Sequence, residues 1–159
     1  MPLELLIPKL YLWSGWAIIV CICSSLILPH QNSHKIAFKK ILGIFAFVFS
    51  LVHLGIFLVL DFGFDFGFIY LELAQKRYLH FGILSFVCLF VCAVGSFGLF
   101  FRLRLFYLVL LALIFGLAHI LLIQKVIRLW LFLLSLMIVI SVSYKLLKAK
   151  NIGFKTKKQ

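Results

Sequence analysis

Two histidines, His53 and His119, stand alone inside long apolar runs, and they are the residues of this sequence best suited to chemistry. A neutral imidazole ligates metals and exchanges protons near neutral pH. Placing one at bilayer depth is costly enough to mark a functional candidate. Either ring taken singly could simply hydrogen-bond across a helix interface. Their positions within the runs argue for a pair. His53 lies twelve residues beyond Ile41, where its run opens, and His119 fourteen beyond Leu105. At a rise of about 1.5 Å per residue the depths are roughly 18 and 21 Å, less than one turn apart. On helices entering from the same side, the two imidazoles meet at one level. There they can hold a metal, grip a haem iron from both faces, or relay protons.

The remaining candidates carry less. His80 opens the third apolar run, where it is either a third ligand or an interfacial residue. His30 and His34 fall in a short polar connection. Cys21, Cys23, Cys88 and Cys92 all lie inside apolar runs. Cys88 and Cys92 share a helix face at i, i+4, yet buried cysteine usually packs as a small hydrophobe, and a thiol-oxidising membrane protein needs its cysteines at the oxidising face.

The elements that must position the histidines are membrane helices. Of 159 residues 65% are hydrophobic and 13% charged, too little polar surface for a water-soluble domain. Five runs reach the roughly 20 residues that cross a hydrocarbon core of about 30 Å. They extend from Leu10 to Leu28, Ile41 to Leu60, Phe81 to Phe101, Leu105 to Gln124 and Leu129 to Leu146. The expected fold is an all-α integral membrane protein, a bundle of about five transmembrane helices forming one domain over residues 10–146, with a basic tail over 147–159. The first run is too long for the apolar core of a signal peptide and ends at Pro29 without a small-residue cleavage site, so it reads as a retained helix. Between the second and third runs, Asp61 to Phe68 alternates Phe with Gly and Asp, which suits a loop lying in the membrane interface.

A net charge of +12 would suggest nucleic acid in a soluble chain, but here the basic residues fall in short blocks beside apolar runs, where topology signals lie. With five spans, one face carries Lys35, Lys39, Lys40, Arg102, Arg104 and the six lysines from Lys145 onward, eleven in all. The opposite face carries five, Lys9, Lys76, Arg77, Lys125 and Arg128, together with every acidic residue. The richer face is expected to be cytoplasmic, with the N-terminus out and the C-terminus in. Both histidine-bearing helices then enter from the cytoplasm and place their rings in the outer half of the membrane.

The stretch from Lys39-Lys40 through Leu42-Gly43, Ala46-Phe47 and His53-Leu54 to Leu60-Asp61 resembles the basic-pair, Leu-Gly, Ala-Phe, Leu-His, Leu-Asp pattern of the YedZ or MsrQ proteins, within the ferric-reductase-like transmembrane group. Lys76-Arg77-Tyr78 with Gly82, the segment from Arg102 to His119, and Ser14-Gly15-Trp16-Ala17 resemble further elements of that family, so the likeness runs from about Ser14 to Lys125. It implies a haem b protein of the bacterial inner membrane that passes electrons from the quinone pool to MsrP, a periplasmic molybdenum-containing reductase that repairs methionine sulfoxide. Flavin mononucleotide is also associated with the family. The resemblance makes His53 and His119 the haem ligands. The family pattern has a further N-terminal helix, and a second histidine where Phe106 stands here. Phenylalanine cannot ligate iron, so one haem is expected.

Other readings compete: a proton or metal transporter using the same histidines as a relay, a structural or assembly subunit with no cofactor, and a ferric-reductase-like electron carrier serving a different partner. Against a transporter, the apolar runs show no internal repeat and no buried carboxylate beside the histidines. The charge split gives a direct test of topology. A reporter fused after Gln159 should be active only if it is of the cytoplasmic kind, and strong periplasmic alkaline phosphatase activity there would invert the assignment.

Overall fold

The computed structural model describes residues 3–28, 33–96, 105–123, 135–140 and 144. Among them, helix α1 spans Leu3–Ile27, α2 Ser33–Gly55, α3 Phe66–Gln75, α4 Arg77–Ser96 and α5 Leu105–Ile123. Residues 135–140 are also helical, and the remainder of the expected fifth span, from Leu129 to Leu146, lies outside the described residues apart from helical Tyr144. The described residues include three helical segments long and apolar enough to cross a bilayer, Leu5–Ile27, Ala37–Asp61 and Arg77–Ser96, and a shorter apolar one, Tyr107–Ile123. Large apolar side chains point outward throughout, Trp13 being 75% exposed and Phe90 49%. Lipid rather than water must cover them, and the chain is an all-α membrane protein.

Several boundaries differ from the sequence reading. Helix α1 opens at Leu3, ahead of the expected Leu10, and carries Pro8 inside it. Helix α2 runs straight on into a wide π-helical stretch, Ile56–Asp61. The Asp61–Phe68 segment is only partly a loop. Gly63 and Phe64 turn the chain with φ of 52° and 63°, in the left-handed region where Gly is at ease and Phe is strained. Asp65 then starts α3 by accepting hydrogen bonds from the Gly67 and Phe68 amides at 3.0 and 3.1 Å. Lys76 breaks from helical geometry with ψ at 100°, so α4 starts at Arg77 rather than Phe81. The Lys76 ammonium pairs with Glu72, whose hydrogen bond holds it above the usual lysine range.

Helices α1 and α2 pack along each other, as do α4 and α5; α2 also packs on α4, and α1 on α5. The four form a ring in which α2 and α5 are diagonal partners. Residues Ile19, Ile22, Ala46, Leu89, Ala112, Leu113 and Leu117 fill its centre. Ala46 and Ala112 are fully buried, small enough to let backbones approach. Ser85 ties α4 to α5 by donating to the Ala112 carbonyl at 2.8 Å.

Because lipid tails are as apolar as leucine, burial here stabilises through packing contacts rather than removal from water. Leu113→Ala should therefore cost about 2–3 kcal/mol, the low end of the range for buried leucine, whereas lipid-facing Leu111→Ala should be close to neutral. Reversible unfolding of the purified protein in mixed detergent would measure both.

Candidate functional site

The diagonal arrangement of α2 and α5 points His53 and His119 at each other across the bundle. Their ring centroids are 6.2 Å apart and their planes are inclined at 78°. The two rings expected at one level are neighbours in the structure. Neither ring faces its neighbour unsupported, and the two supports come from different helices.

His53 is gripped by α1. Its Nδ1 lies 2.8 Å from the Ser14 hydroxyl, which is itself buried. One turn earlier on the same helix, the Tyr11 ring stands edge-on to His53 at 5.2 Å between centroids. Tyr11 in turn donates its hydroxyl proton to Asp61 Oδ2 at 3.0 Å. Asp61 closes the π-helical stretch that follows His53. Each residue in a π turn is set back relative to α-helical progression, which re-aims the side chains after it, and such turns are frequent at functional sites. The same helix that carries His53 thereby returns to hold the tyrosine that flanks it.

His119 is gripped by the start of α4. Its Nδ1 lies 2.7 Å from the Tyr78 backbone carbonyl. A carbonyl can only accept, so Nδ1 carries the proton and Nε2 the lone pair. The Tyr78 ring lies beside it at 5.7 Å. Gly82, one turn further along α4, leaves the space into which His119 packs. A Cβ there would lie 2.9 Å from Nδ1 and 3.0 Å from Cε1.

The other candidates stand apart from this pair. His80 is exposed on the first turn of α4. Cys92 is buried, and Cys21, Cys23 and Cys88 are half-buried, the latter three packed against the apolar core. Among the described residues, no group of three or more His, Cys, Asp or Glu converges as a metal cluster would. Tyr11 and its bond to Asp61 escaped the sequence reading, although a tyrosine and a serine three residues apart on one face of an apolar helix were a usable signal.

Fold and site together define a membrane helix bundle that brings two imidazoles edge-on to one another between α2 and α5. Residues 14–129 match the family described as Ferric reductase like transmembrane component, and the chain belongs to that family. Membership suggests membrane electron transfer. The match opens on Ser14, the residue bonded to His53, and spans α2 to α5 entire. No solved structure matches the chain.

The two glycines nearest the rings should respond differently to a methyl group. Gly82→Ala must push His119 aside and should cost about 1–3 kcal/mol, as overpacking does. Gly15→Ala, whose Cβ would meet His53 Cε1 at an ordinary 3.8 Å, should be tolerated. Thermal unfolding of the two variants in the same detergent is the comparison to make.

Proposed function

We propose that the chain is a haem b electron-transfer subunit of the MsrQ or YedZ kind, a multi-pass protein of the bacterial inner membrane. It takes electrons from the quinone pool and delivers them to a periplasmic, MsrP-like reductase of protein methionine sulfoxide. The observation that carries this reading is the opposed imidazole pair in a chain of the ferric-reductase-like family.

The donor set suits haem. The ring centroids are 6.2 Å apart, and each ring is held through its Nδ1 by another helix, so His53 and His119 would hold the group between α2 and α5. Haem would supply a one-electron couple there. The diagonal helices that carry the rings are not packed along their lengths, in contrast to α1 with α2 and α4 with α5.

The chain's own part is to fix the two ligands, bury them and keep water out. His53 and His119 would hold the iron. In the orientation expected from the basic residues, the site lies about 20 Å from the cytoplasmic surface by helix rise. A quinol within the bilayer, or an inner flavin mononucleotide, is then a better placed donor than a soluble cytosolic reductant. A site in the outer half would hand electrons to a periplasmic acceptor.

Protein purified from haem-replete cells should show a low-spin spectrum whose Soret band shifts on dithionite reduction. His53→Ala and His119→Ala should each abolish the low-spin form and stop electron delivery to the periplasmic acceptor, whereas His80→Ala should leave the spectrum nearly unchanged. A folded wild-type protein that takes up no haem would sink the proposal and favour a proton or metal relay. Equal damage from His80→Ala would reassign the ligands.

A further inference from the structure

We infer that Ser14 is a positioning residue for the metal-binding site, selecting the tautomer of His53 that leaves its Nε2 free to ligate. This rests on the haem reading above. The argument concerns one proton. Ser14 Oγ lies 2.7 Å from the Leu10 carbonyl, 3.3 Å from the Tyr11 carbonyl and 2.8 Å from His53 Nδ1. The hydroxyl has one hydrogen, and both carbonyls can only accept. The Leu10 carbonyl, one helical turn back, takes the hydrogen in the usual back-bond of a helical serine. The lone pairs of Oγ then face His53, whose Nδ1 must donate. Its Nε2 is left with a lone pair.

His119 reaches the same state by a different route, since Nδ1 donates to the Tyr78 carbonyl. Both rings therefore present Nε2 as the ligating atom, and the hydrogen bond on the far nitrogen decides this in each case. The routes differ in one respect that can be tested. The acceptor behind His119 belongs to the backbone and survives any side-chain change at Tyr78. The acceptor behind His53 is a side chain from another helix, 39 residues away in sequence. Ser14 is thus the position at which substitution can alter one ligand alone.

An acceptor on Nδ1–H makes the imidazole a stronger base, which favours the ferric over the ferrous ion. Removing it should weaken ferric binding selectively and raise the midpoint potential. The test is a potentiometric titration of purified, haem-loaded protein in four forms: wild type, Ser14→Ala, Ser14→Thr and Ser50→Ala. Ser50 is a buried control that back-bonds to Phe47 on the histidine's own helix. Ser14→Ala should retain low-spin haem while losing roughly tenfold in ferric over ferrous affinity, equivalent to about 59 mV upward for one electron. Ser14→Thr, which keeps the hydroxyl, should restore the wild-type potential, and Ser50→Ala should leave it unchanged. An unshifted potential in Ser14→Ala, or an equal shift in Ser50→Ala, would overturn the assignment of Ser14 while leaving the haem reading intact. Should Ser14→Ala fail to hold haem, rescue by threonine with a wild-type potential supports the assignment, and failure of threonine to rescue overturns it. Wild-type protein without haem would instead refute the parent reading.

Discussion

A polar ring in the hydrocarbon core has no water to bond, so any hydrogen bond it makes must come from a neighbouring helix. That constraint shapes the centre of this bundle. Each imidazole is bonded through one nitrogen to an oxygen on a helix other than its own, and that bond fixes both the direction of the ring and the atom it offers inward. The packing around the pair follows from it. Helix α1 must approach α2 closely enough for a serine to reach His53. Helix α4 must present a backbone carbonyl and a glycine to His119. Apolar side chains elsewhere in the bundle have far more freedom, because exchanging one lipid-like contact for another changes little.

The family assignment and the geometry support each other without overlapping. Family membership rests on the pattern of residues 14–129 and says nothing of where side chains point. The ring separation rests on coordinates and names no cofactor. Together they favour an electron carrier over a relay, since a relay needs groups that pass protons onward from the rings. The groups around His53 and His119 are arranged to hold them still. Tyr11 is bonded to Asp61, Ser14 to the α1 backbone, and His119 to the α4 backbone.

Much of this was legible in the sequence. Hydropathy alone gives the membrane class, and counting residues from the start of each apolar run places both histidines at one depth. Rotation about the helix axis is what the sequence leaves open. Nothing in a nearly uniform apolar run such as α5 shows which face will turn inward, so the meeting of His53 with His119 could be expected only conditionally. Ser14, Tyr78 and Gly82 were visible as parts of a resemblance, yet their roles depend on contacts between residues some forty positions apart. The aromatic segment after Asp61 was misread in part as a loop because alternating Phe and Gly hides a helix start. Asp65, which caps that helix through its side chain, was the overlooked sign.

The division of the site between helix pairs bears on how such a protein is made. His53 and its support lie 39 residues apart within the α1–α2 hairpin, and His119 and its support 41 residues apart across α4 and α5. Each half can be completed as its own hairpin enters the membrane, without waiting for the other. Synthesis from the N-terminus would deliver first one finished imidazole station and then a second. The late event would then be the docking of two preassembled halves along the α2–α4 and α1–α5 seams.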